Sequence, residues 1–213
     1  LEQKSGLRIR DAMRTNNYQI VADLLEYPTS VWPERLESGG SAFSDQAPSI
    51  AQAFARFRDE ATLPLAELQE LYTRTFDLNP VCALEIGYHL FGENYKRGIF
   101  LANLRATEAP FALGQEEELP DYLPVLLRLL PCLEDDELSS ALVHECLVPA
   151  LKKMLAPLQE RANLYRHLLE LLIDLFGTKE DAPRAQIQRR QLVILSNIER
   201  GNECEVNTPS FGP

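Results

Sequence analysis

The groups in this chain best suited to bond-making chemistry are its thiols and imidazoles, and their spacing sets none of them to work together. His89, His144 and His167 stand far apart, with no HxxxH or HExxH to bring two imidazoles onto one helical face around a zinc ion. Cys82, Cys132, Cys146 and Cys204 include no CxxC pair, so neither a thiolate metal site nor a disulfide framework is encoded locally. The strings that would cradle a phosphate or expose a nucleophilic serine, GxxxxGKS/T, GxGxxG and GxSxG, do not occur. No catalytic residue, metal site or cofactor is nominated locally, and a catalytic set assembled from residues distant in sequence would leave no such trace.

Three stretches do combine aromatic and charged groups in ways that suit binding. YTRTFDLNP (72–80) carries Tyr72, Phe76 and Asp77, and GYHLFGENYKRG (87–98) gathers Tyr88, His89 and Arg97 about a glycine turn. ELPDYLP (118–124) adds Glu118, Asp121 and Tyr122, inside a run from Glu108 to Glu137 that holds nine acidic residues and one basic residue, Arg128. Aromatic faces supply apolar area for a docked segment, and one-signed charge selects a basic one. Packed aromatic stripes and helix-ending turns would leave the first two patterns unaided, and a solvated loop would leave the third. Within ELPDYLP, Asp121 is expected to cap a helix by accepting the N–H of Leu123, which places Pro124 in the first turn, where no donor is needed. Leu123, Leu126, Leu127 and Leu130 then form the buried stripe, with Tyr122 exposed at the start of the helix.

Elements that would position these groups are helical throughout. Apolar residues recur near every 3.6 positions in NNYQIVADLLEYP, SIAQAFARFRDEA, PLAELQELYTRTF, VCALEIGYHLFG, RGIFLANLRATEA, DYLPVLLRLLPCL and NLYRHLLELLIDLF. ELSSALVHECLVPALKKMLAPLQERA is helical with a break near Pro149, and the turn-rich stretch at 28–48 holds one short helix around Trp32 to Leu36. No alternating strand pattern stands out. The expectation is an all-α, single-domain bundle of about nine helices over 16–200, with a last polar helix at 185–199. Residues 1–15 are expected to be a disordered segment and 201–213 a mobile tail.

With 32 acidic against 21 basic residues and a formal net charge of -11, the chain is not built for nucleic acid or an anionic membrane surface, and it favours a basic partner. The absence of a bilayer-length apolar run, of a secretory core in the first twenty residues and of paired cysteines points to the cytoplasm.

In order and in context, these stretches resemble the delta-subunit assembly chaperones of the NarJ type, within the NarJ/TorD/DmsD group of redox enzyme maturation proteins. The resemblance rests on Tyr72, Phe76 and Asp77, on Tyr88, His89 and Gly92, on Arg97 and Gly98, and above all on ELPDYLP, and it covers about residues 18 to 176. It implies a TorD-like helical fold that catalyses nothing. It also implies binding to the N-terminal leader, or leader vestige, of an apo catalytic subunit, which is held ready for molybdopterin cofactor insertion before assembly or export. Arg128 stands where nitrate reductase chaperones continue ELPDYLP with leucines and a glutamate, and Glu85 with Gly87 stand where an apolar pair is typical. The implied client is therefore nitrate reductase or a selenate, chlorate, dimethylsulfide or ethylbenzene oxidoreductase, served by a monomer or a dimer. A helical adaptor that binds other proteins without a maturation role is the alternative. On the leading reading, Tyr72, Phe76, Asp77, Tyr88, His89, Arg97, Glu118, Asp121 and Tyr122 border one groove.

Overall fold

Four prolines of this chain sit where a helix has little use for an N–H and mark where helices begin, whereas Pro157 lies inside a helix. Pro33, Pro48, Pro124 and Pro149 each occupy the first or second position of a helix. The computed structural model describes residues 16–78, 82–113, 118–159 and 163–177. The segments expected at 1–15, 185–199 and 201–213 lie outside them, as do Glu116 and Glu117, and the domain expected over 16–200 is described to residue 177.

The helices are α1 (16–24), α2 (Trp32–Phe43), α3 (Pro48–Glu60), α4 (Leu65–Tyr72), α5 (Ile86–Phe91), α6 (Tyr95–Glu108), α7 (Leu123–Leu129), α8 (Asp136–Ala141), α9 (Val148–Leu158) and α10 (Tyr165–Gly177). The fold is all-α, as the apolar periods predict. Among the described residues no strand occurs, and the one isolated β-bridge pairs Glu85 with Tyr122 in antiparallel fashion. None of the described helices is long and apolar enough to cross a membrane. Among the same residues, no group of three or more His, Cys, Asp or Glu side chains is placed to hold a metal ion.

α10 packs against α3 and α9, α2 packs against α3, and α5 packs against α9 and α6. The leucine run of α7 is more deeply placed than a one-sided stripe. Every residue from Leu123 to Leu130 is buried except Arg128, which is the pattern of a helix surrounded by others. Burying each leucine is worth roughly 1.5–3 kcal/mol.

The structure departs from the expected helices at several stretches: within VCALEIGYHLFG the helix begins only at Ile86, and Glu85 is extended in its bridge to Tyr122. The short helix expected at Trp32 to Leu36 continues to Phe43 through Ser38, Gly39 and Gly40, a sequence that reads as a turn. Gly39 is there for closeness: a Cβ at that position would lie 2.2 Å from Cζ of Phe54, so the glycine lets α3 press its aromatic ring onto α2. The break near Pro149 takes the form of a π-helical turn over Leu142–Leu147, which shifts the hydrogen-bond register just before the proline. A second π-helical turn, Thr73–Asp77, follows α4, closed by Leu78 N–H on the Thr73 carbonyl at 2.9 Å. It sets Phe76 and Asp77 at the rim of the site described below.

An aromatic chain runs through the core toward that site. Trp32 meets Phe57 at 6.2 Å between ring centroids, Phe57 meets Tyr165 at 6.4 Å, and Tyr165 meets both Phe76 at 4.8 Å and Tyr72 at 5.9 Å. Tyr72 in turn meets the half-exposed Tyr27 edge-on at 5.4 Å. Packing that begins in the core thus ends as exposed aromatic surface.

Candidate functional site

The stretch Pro120 to Leu123 lies across residues 84–87 like a two-rung ladder. Leu123 N–H donates to the Leu84 carbonyl and Ile86 N–H donates to the Asp121 carbonyl, each at 2.9 Å. Asp121 therefore does not cap α7; Tyr122 holds that position, and the Leu123 N–H is already spent on Leu84. The Asp121 side chain is fully buried. It accepts the Gly87 N–H at 3.0 Å and the Arg97 Nε–H at 3.2 Å through one oxygen. Burial pushes its carboxyl above the ordinary range, against the pull of the Arg97 guanidinium and the Gly87 N–H. Gly87 must be glycine, because a Cβ there would sit 2.6 Å from that same Asp121 oxygen and 3.1 Å from Cδ1 of Phe100.

Docked in this way, the ends of α5, α6 and α7 form one side of a groove of about 1020 Å³, and the segment after α1 (Glu26, Tyr27 and Thr29), the start of α2, and the end of α4 with the π-helical turn after it form the other. Tyr72, Phe76, Asp77, Tyr88, Arg97, Glu118 and Tyr122, all singled out in the sequence, line it. Tyr72 donates its hydroxyl to the Leu25 carbonyl at 3.2 Å, so the 3.3 Å contact between the two tyrosine hydroxyls uses the Tyr122 O–H as donor. Tyr122, expected at the exposed start of its helix, is instead half-buried against Tyr72. Burial raises both phenols, that of Tyr122 to about 12, so each remains a neutral hydrogen-bonding group at physiological pH.

Five carboxylates line the groove, those of Glu26, Asp77, Glu85, Glu93 and Glu118, against three guanidinium groups, those of Arg35, Arg97 and Arg128. Two of the three arginines are occupied within the wall. Arg128 pairs with Asp23 and Glu26, and Arg35 pairs with Glu26 and donates to the Asp23 carbonyl. Arg128, the one charge in the leucine run, thus ties α7 to α1.

The sequence of this chain is similar to that of the nitrate reductase molybdenum cofactor assembly chaperone NarJ of Escherichia coli K12, 31% identical over 170 residues that cover 78% of this chain and 71% of that protein. The chain belongs to the NarJ family of assembly chaperones. The probable NarJ of Bacillus subtilis is 28% identical over 76% of this chain and 90% of its own length. The probable chaperone NarW of E. coli K12 is 26% identical over 75% of this chain and 68% of its own length. No family model matches the chain.

In this NarJ-family chain, two of the nine expected groove residues stand back from it. Asp121 lies behind the wall, holding it together, and His89 turns its Nε2 toward the Ala83 carbonyl at 2.6 Å while Lys153 donates to the His89 carbonyl. The acidic run from Glu108 to Glu137 does not form one rim. Glu108 and Asp121 are buried, and Asp135 caps α8 by accepting the N–H groups of Glu137 and Leu138. Of the run's described members, only Glu118 lines the groove. The wall contributed by Glu26, Tyr27 and Arg35 is absent from the sequence reading; an aromatic residue set just before the helix-ending Pro28 was its faint signal.

His89 gives the fold a pH dependence. Burial holds its imidazole below the ordinary value, so the folded chain keeps it neutral where the unfolded chain, with an unperturbed pKa near about 6.5, takes up a proton. Its contribution to stability is full above that value and is lost as pH falls through it. Urea midpoints measured at pH 7.5 and pH 5.5 should show a smaller loss on acidification for His89→Gln than for the unaltered chain, with the other histidines common to both.

Proposed function

We propose that this chain holds the apo catalytic subunit of a molybdopterin oxidoreductase by its N-terminal segment and keeps that subunit competent for cofactor insertion before assembly or export. The observation that carries the reading is a groove with an aromatic floor and a rim richer in carboxylates than in guanidinium groups. A ten-residue helix, about 15 Å long and 10 Å across, has roughly the volume of the groove. An amphipathic segment would lay its apolar face on Tyr27, Tyr72, Phe76 and Tyr122 and turn its basic residues toward Glu26, Asp77, Glu85 and Glu118. The work is that of a binding protein acting before export, which places it in the cytoplasm. Nitrate reductase, which the relatives' names specify, is the first client to test.

A micromolar complex needs about 8 kcal/mol, and rim ion pairs of roughly 0–1 kcal/mol each do not reach it, so aromatic burial carries the affinity. Titration calorimetry with a synthetic peptide of about twenty residues, from the N-terminus of the nitrate reductase catalytic subunit of the source organism, tests this. The expected result is a 1:1 complex that raised salt weakens only modestly. Tyr122→Ala should weaken it about tenfold to thirtyfold, in the range of an interface anchor, and Glu118→Ala several times less. Unchanged affinity in a folded Tyr122→Ala chain would move the docking site off this groove.

A further inference from the structure

Lys96 and Arg97 open α6 with no acidic residue in its first turn, a placement that sets positive charge at the positive end of the helix dipole. Helix stability gives no reason for it. Arg97 is also held from three sides. Its Nε is bonded to the buried Asp121 carboxylate, its guanidinium carbon lies 5.8 Å from the centroid of the Tyr88 ring, and its stem crosses Gly87, where a Cβ would come within 3.3 Å of Arg97 Cγ. Among the described residues no acceptor is bonded to its two outer nitrogens, although the side chain lines the groove and is 22% exposed. The other two arginines of the groove are engaged with Asp23 and Glu26.

We infer that Arg97 is an anion subsite of the groove, which accepts a carboxylate carried by the docked segment and so sets its register. This rests on the docking reading above and adds to it one acidic side chain on an otherwise basic and apolar helix. A guanidinium fixed through Nε leaves a planar pair of outer donors suited to a carboxylate. A dianion such as a phosphate monoester fits less well, because five carboxylates surround the same groove. Fixing the arginine in advance lowers the ordering cost of the contact.

The test uses a panel of synthetic amphipathic helical peptides with leucine on one face and lysine on the other, in which a single glutamate is moved along the polar face and compared with glutamine at each place. For the unaltered chain, one register should bind about tenfold more tightly with glutamate than with glutamine, as a partly desolvated charge-assisted pair would give. Arg97→Gln should erase that difference between the glutamate and glutamine peptides at that register, and Arg97→Lys should restore part of it. If no register prefers glutamate, or if the preference survives in Arg97→Gln, the subsite is overturned and the groove reading stands. If no peptide of the panel binds the unaltered chain, the docking reading falls and the subsite falls with it. Because the glutamate and glutamine comparison is first made on the unaltered chain, it does not depend on how well the variants fold.

Discussion

Asp121→Ala should cost about 3–5 kcal/mol and lower the melting temperature by on the order of 10 °C. The alanine removes, at one stroke, the acceptor of the Gly87 N–H and the partner of Arg97, in a place with no exposure to water. Asp121→Asn keeps an acceptor for Gly87 and loses only the ionic component, so it should fall well short of that loss. A solvent-facing helix cap in the same position would lose only about 0.5–2 kcal/mol on truncation. Urea unfolding of the two variants therefore separates the buried brace from the cap. Gly87→Ala should echo the first result from the other side, because its methyl group must displace the same carboxylate, and overpacking of this kind typically costs about 1–3 kcal/mol.

Tyr165 offers the second large effect and a contrast. Its ring is fully buried and touches Phe57, Tyr72 and Phe76, so Tyr165→Ala should cost about 3–5 kcal/mol through the cavity it leaves. Among the described residues its buried hydroxyl has no hydrogen-bond partner, and burial raises its pKa further from the physiological range. Tyr165→Phe removes that unpaired group while keeping the ring. Such a chain should be as stable as the unaltered one or more stable by about 1 kcal/mol. Equilibrium unfolding at a constant m-value makes the comparison. Tyr165 also supports Tyr72 and Phe76 from beneath, so the alanine variant should bind peptide more weakly than the phenylalanine variant.

Helices were legible in the sequence because burial on one face imposes a period that survives without knowledge of the partner face. The exceptions have local causes. α2 is masked by glycines that serve a contact with Phe54, on the next helix, and α7, apolar at every position but Arg128, is buried all round and not on the one stripe expected. Seven of the nine residues expected at the groove do line it, and they were legible as aromatic and charged types near helix ends. Their roles were not, since each role depends on a partner distant in sequence: Asp121 meets Gly87 across 34 positions, Tyr122 meets Tyr72 across 50, and Arg128 meets Asp23 across 105. A capping aspartate and a bracing aspartate are written with the same letter, and only the fold tells which N–H groups remain to be satisfied. The wall of Glu26, Tyr27 and Arg35 is tertiary in the same sense.

The most direct measurement of the docking proposal is a photo-crosslink from inside the groove. A benzophenone amino acid placed at Tyr88, in the chain expressed in its source organism, should capture a molybdopterin oxidoreductase catalytic subunit, with the linked fragment within about the first twenty residues of that subunit, the length of an amphipathic helix and its flanks. The same probe at Arg56, exposed on α3 and outside the groove, should capture far less. Linkage to another part of the subunit, capture of an unrelated protein, or equal yield from the two positions would contradict the account.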